Sequence, residues 1–207
     1  MSGYEWTEQI DALTVTLLRG ADLQQVGDVL EFDWESERLV TFDQAFDDLD
    51  GDGWDWPVQV EELEGWLVVA EPNGWFLSDE QKLAALSREG VAVSVFFNVN
   101  AKFRFIVARQ GVVVRSFDPV VPTYEPAGDP LPEEGGLGFG VDEDTTANSF
   151  VLLERLTGVR LDESWLTEQP RRTWSAPHPL PPGVERRPEE EQRSRGGVLR
   201  RVFRRFR

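Results

Sequence analysis

The chain contains no cysteine. That excludes disulfide stapling, thiolate nucleophiles and thiolate metal centres together. Histidine is almost as scarce: His178 stands alone, between Pro177 and Pro179, where no rigid element would hold an imidazole for proton transfer. There is no H-E-x-x-H motif, so ordinary zinc chemistry lacks its ligands. Lysine is confined to Lys82 and Lys102 among 21 basic residues. No apolar run approaches the roughly 18 residues of a membrane span. The opening Met-Ser-Gly-Tyr-Glu-Trp lacks the basic and apolar segments of a secretory signal. The expectation is a cytoplasmic protein in which nucleophilic catalysis has little to work with, so that a non-enzymatic role is favoured.

What is present is aromatic and acidic. Eight tryptophans and thirteen phenylalanines accompany 40% hydrophobic residues in 207, enough to bury a self-sufficient core. The net charge of −17 is unevenly spread. Residues 171–207 hold eleven arginines against four glutamates, a net +7, which leaves −24 on residues 1–170. An acidic body of this kind repels nucleic acid and anionic lipid and suits a protein partner, whereas the C-terminal segment attracts anionic surfaces.

Apolar periodicity divides the body into elements. Residues 13–18 read as a strand and 21–30 as a short amphipathic helix, with Leu23, Val26 and Leu30 at helical spacing. Residues 41–47 read as a second short helix. Val58 with Val60, and then 66–70, read as strands joined through Gly65. Glu71-Pro72-Asn73-Gly74 is turn chemistry. Ser78 and Gln81 have capping-box spacing before a helix that ends at Gly90. Residues 91–97, 103–107 and 112–117 alternate and form an antiparallel meander. Residues 119–140 read as a flexible Pro/Gly-rich loop, 145–157 as a helix stopped by Gly158, and 162–168 as a last turn. The fold expected is an α+β domain over residues 1–169. It is a mainly antiparallel sheet of about five or six strands packed by three or four helices. A disordered Pro/Arg/Glu-rich linker over 170–195 and a basic tail over 196–207 follow.

Several segments taken together resemble an actinobacterial family, domain of unknown function 6461. They are Gly65-Trp66-Leu67-Val68-Val69-Ala70-Glu71-Pro72-Asn73-Gly74-Trp75, Leu86-Ser87, Val93-Ser94-Val95 and Asn98-Val99-Asn100-Ala101. Phe117-Asp118-Pro119 and Leu153-Glu154-Arg155-Leu156-Thr157-Gly158-Val159 complete the pattern, which spans residues 13–168. The resemblance implies one conserved domain and a bacterial origin. It implies no activity, cofactor or site.

Three features carry chemistry. Asp48-Leu49-Asp50-Gly51-Asp52-Gly53 matches the first half of a calcium loop, so Asp48, Asp50 and Asp52 are candidate ligands. The twelfth position is Gln59 rather than a bidentate glutamate, and Pro57 blocks an exiting helix, so a solvated acidic turn is the stronger reading. Gly135, Gly136, Gly138 and Gly140 lack the strand–loop–helix setting of a phosphate loop. Paired carboxylates are the remaining catalytic route. Glu71 and Asp118 are the first places to look, although both sit in turn motifs. In the tail, Val198, Leu199, Val202, Phe203 and Phe206 share one helical face, with Arg200, Arg201, Arg204, Arg205 and Arg207 around the rest. Such a segment docks on an anionic membrane or a partner, or folds back on the acidic body. The expectation is a binding or regulatory protein: the acidic body engages a protein partner, and the tail docks on a membrane or a second partner. A carboxylate enzyme using a divalent metal, and a peripheral membrane protein held by the tail alone, are the alternatives.

Overall fold

A computed structural model describes residues 3–47 and 55–177. The half calcium motif at Asp48, Asp50 and Asp52, His178, and the tail all lie outside the described residues. Eight strands form one sheet: β1 (Leu13–Arg19), β2 (Asp33–Val40), β3 (Asp55–Leu63), β4 (Trp66–Pro72), β5 (Val91–Phe97), β6 (Phe103–Arg109), β7 (Val112–Phe117) and β8 (Arg171–Pro177). Their order is β2-β8-β3-β4-β1-β5-β6-β7, with every neighbouring pair antiparallel. Among the described residues the α-helices are α1 (Leu23–Leu30), α2 (Phe42–Asp47), α3 (Glu80–Leu86), α4 (Thr145–Thr157) and α5 (Glu163–Thr167).

Helices cover both faces of the sheet. Leu13, Val15, Val95, Phe105 and Phe117 point to one core, against Phe42 of α2, Phe150 and Leu153 of α4, and Trp165 of α5. Leu18, Val69 and Ile106 point to the other, against Val26 and Leu30 of α1, the turn at Phe76–Ser78, and Leu83 and Leu86 of α3. Central strands buried on both sides lose the apolar/polar alternation of a half-exposed sheet. In β1 the intervening threonines are buried too, and their hydroxyls are used. Thr14 Oγ1 donates to the Gly74 carbonyl at 2.6 Å. Thr16 Oγ1 donates to Ser94 Oγ at 2.9 Å, and Ser94 in turn donates to the Leu77 carbonyl at 2.7 Å.

Local chemistry sets the element ends. Glu64-Gly65 and Gln110-Gly111 join β3 to β4 and β6 to β7, with both central residues of each turn at positive φ. That is the type I′ geometry matching strand twist. Asp22, Asp144 and Asp162 cap α1, α4 and α5, and Gly158 ends α4 at φ 77°. The cap of α3 is Asp79, which accepts from the Gln81 and Lys82 amides, and not the Ser78 that the capping-box spacing suggested. Gly90 marks a close approach: a Cβ there would stand 2.0 Å from the Arg19 carbonyl oxygen. Gly90→Ala is therefore expected to cost about 1–3 kcal/mol through overpacking, measured as a lowered urea midpoint at unchanged slope.

The structure corrects the sequence reading in three places. The sheet has eight strands, not five or six, and the helices number five among the described residues. The extra strands are β2 and β8. β8 occupies Arg171–Pro177, inside the stretch read as disordered linker, so the ordered body reaches at least residue 177 rather than 169. Its arginines and prolines hid it, because one of its buried faces is polar: Arg171 and Thr173 are buried alongside Trp174 and Ala176. β2 is exposed along most of its length and forms the sheet end. Its side chains are largely charged, and its pairing with β8 shifts register between Asp33 and Arg38, devices that discourage an edge strand from pairing with other chains. The 119–140 segment is also tied down. Arg115, buried, makes a bidentate contact to Glu134 at 2.8 and 3.1 Å, and Arg155 Nη1 donates to the Glu133 and Gly135 carbonyls.

Candidate functional site

The 98–102 hairpin is closed by Phe97 and Phe103, a cross-strand pair whose rings stack at 5.5 Å. These rings floor an open cleft of about 480 Å³ at one end of the sheet. Asn98 lies at its side, and its Oδ1 accepts from the Asn100 and Lys102 amides, fixing the hairpin loop. Val120 forms a wall, placed by Asp118, whose Oδ1 accepts from the Val120 and Val121 amides at 2.8 and 3.2 Å. The opposite wall is Gly140, Val141 and the first turn of α4. Thr145 Oγ1 donates to the Gly140 carbonyl and Asn148 Nδ2 to the Gly138 carbonyl, which pins this loop to the helix.

The rim is acidic. Glu8, on the short 3-10 turn Glu5–Gln9, and Glu143 and Asp144 before α4 all line the cleft and are exposed. A helix N-terminus carries about half a positive charge. Three carboxylates outweigh it, and Asp144 already caps the helix by accepting from the Ala147 amide. The cleft therefore favours a cation over an anion. Val141, Val99 and Val121 are among the exposed large apolar residues, and the last two directly follow lining residues in the chain. An apolar floor beneath an acidic rim fits a side chain with an apolar stem and a cationic head. Arginine is the better of the two such residues over aromatic rings, because its planar guanidinium stacks on them.

Glu71 and Asp118, the carboxylates singled out by sequence, do not converge. Strand registers place Glu71, Thr14, Phe96 and Arg104 in one row across β4, β1, β5 and β6, and continuing the β6–β7 register puts Asp118 next. Four strand spacings separate them, about 19 Å. Each holds a turn. Glu71 is fully buried and accepts from the Phe76 amide at 2.6 Å and the Leu77 amide at 3.0 Å. Burial pushes its carboxyl up to about 7, against the pull of those two amides and of Lys82. Among the described residues no group of three or more Asp, Glu or His side chains is arranged to hold a metal ion. No helix there is long and apolar enough to cross a membrane.

Sequence reading missed the cleft. Its floor was legible as the ends of two alternating strands. Its walls come from segments far apart in the chain, and only packing brings residues 8, 97–103, 120 and 140–146 together. Fold and cleft together define an α+β domain: one antiparallel sheet between two helical layers, with an acid-rimmed cleft at one end. The chain belongs to the family described as Family of unknown function (DUF6461), which matches residues 2–178. Comparison with curated proteins and with solved structures gave no match.

Proposed function

We propose that this protein is a non-enzymatic binding protein whose acidic body engages a basic segment of a protein partner through the cleft. Its arginine-rich C-terminal segment docks on an anionic membrane or a second partner. The observation that carries the first half is the cleft itself: stacked Phe97 and Phe103 beneath Glu8, Glu143 and Asp144. Charge supports it. Residues 1–177 hold 34 carboxylates and 12 basic residues, a net −22, so at least 22 carboxylates have no cation of their own within that span. Such a surface speeds encounter with a basic partner and rejects acidic ones.

The test is binding of a short arginine- and phenylalanine-containing peptide, followed by amide shifts of the intact protein. Shifts at Phe97, Phe103 and Val141 are expected, and the same peptide with glutamate for arginine should leave them unmoved. Glu8→Lys with Glu143→Lys should weaken the arginine peptide by about tenfold or more, because like charges would then meet across the rim. Shifts elsewhere on the sheet, or unchanged affinity after the double reversal, would overturn the reading. The tail is tested separately by flotation with anionic liposomes. The intact chain should float, and a chain ending at Gln192 should remain with the soluble fraction.

A further inference from the structure

The cleft and the C-terminal segment have complementary chemistry, and the strand registers bring their neighbourhoods together. Residues 198–207 hold five arginines, two phenylalanines and no acidic side chain. The cleft offers the converse, an aromatic floor and an acidic rim. The described chain ends at the same end of the sheet as the cleft. Phe103 pairs with Phe97, Phe97 with Leu13, and Leu13 with Pro72. Continuing the β3–β4 register by two residues reaches Pro57, which pairs with Ser175. Ser175 and Phe103 thus lie in one row, five strand spacings or about 24 Å apart. The twenty residues between Pro177 and Val198 can span up to roughly 70 Å when extended. The tether reaches the cleft several times over.

We infer that the occupant of the cleft is the chain's own segment 198–207, held in the same molecule. A guanidinium would meet Glu8, Glu143 and Asp144, and a neighbouring phenylalanine would cover Val120 and Val141. This inference rests on the cleft-binding reading above and adds its occupant. A tethered segment reaches an effective concentration on the order of millimolar, so an outside basic partner must displace it. The cleft is then self-shielded until the tail is drawn off.

The absence of cysteine makes the test direct. Ser194→Cys gives a unique thiol for a nitroxide on the full-length chain. The expected result is loss of amide signal at Phe97, Phe103, Val141 and Glu143, independent of protein concentration and recovered on reduction of the label. Glu8→Lys with Glu143→Lys should restore those signals without labelling-induced loss elsewhere. A second arm uses a synthetic peptide of residues 196–207. It should bind a full-length Arg200→Glu, Arg201→Glu, Arg204→Glu variant at least about tenfold more tightly than the unaltered chain, because the internal competitor has been removed. If the peptide shifts the cleft amides with equal affinity in both proteins and the label leaves the cleft undisturbed, the cleft binds basic segments but not its own. If the peptide fails to shift the cleft in either protein, the cleft-binding reading falls as well. Signal loss that grows with concentration would overturn the intramolecular assignment in favour of a second copy.

Discussion

Arg171→Ala is expected to destabilise the protein by about 3–5 kcal/mol, the usual cost of removing one partner from a buried ion pair. Arg171 is almost fully buried on β8. Its Nε donates to Glu61 Oε1 at 2.7 Å and its Nη1 to the Leu166 carbonyl at 3.1 Å. The guanidinium lies 4.2 Å from the centre of the Trp165 ring, and Trp165 Nε1 donates to the same Glu61 oxygen. One side chain thus joins β8, β3 and α5. Its Nη2 is buried without a hydrogen-bond partner, and burial pushes the guanidinium below its ordinary value while Glu61 pushes back. Desolvation has therefore already been incurred, and truncation takes the cation from Glu61, leaving it only the Trp165 indole N–H, and takes the Arg171 donor from the Leu166 carbonyl. Glu61 retains some solvent access, which places Glu61→Gln well below the alanine variant in cost. Urea unfolding followed by tryptophan fluorescence measures both. A loss under about 1 kcal/mol for Arg171→Ala would show that the network is dispensable. Should that variant not fold, Glu61→Gln still reports the pair, and amide exchange over 171–177 should rise first.

Stability is expected to fall as pH rises from 5 to 8, by up to about 3 kcal/mol, and Glu71 is the cause. Its carboxyl lies at about 7 in the folded chain against an ordinary value of 4.5. The folded state therefore binds a proton more tightly than the unfolded state. Glu71's contribution is fully present below about 4.5 and is lost as pH rises through about 7. Glu37 and Asp162 act in the opposite direction. Arg172 holds Glu37 low, and the Trp165 amide holds Asp162 low. Their contributions are lost only as pH falls through their own depressed values, so the window from 5 to 8 separates Glu71 from both. Glu71→Gln removes the titration and should flatten the curve there, at some cost at pH 5, because an amide nitrogen would face the Phe76 or Leu77 N–H. A wild-type curve that is flat or rising across this window would refute the assignment. The Glu71 carboxylate also anchors the turn carrying Trp75, which packs edge-on to Trp56 at 5.4 Å. Trp75 fluorescence should therefore shift over the same pH range.

Elements with strong period-two or helical spacing were readable in advance. The meander of β5, β6 and β7 matches its sequence pattern, as does α4 with its Gly158 stop. β2 and β8 were not readable. Asp-Trp-Glu-Ser-Glu-Arg-Leu-Val has no apolar face, and β2 exists because β8 pairs with it. β8 looked like linker because Arg171 and Thr173 are polar, yet they are buried against Glu61 and Gln59, partners more than a hundred residues earlier. A polar residue is a sign of solvent only until its hydrogen-bonding partner is known.

The sequence alone determined the charge division between body and tail, the absence of cysteine, and most of the local elements, since each depends on composition or on residues a few positions apart. Tertiary structure decided the rest. It set the eight-stranded order, the burial of β8, the separation of Glu71 from Asp118 and the convergence that makes the cleft. Those depend on which strands pair across the chain, and pairing free energy is gained only when distant segments meet.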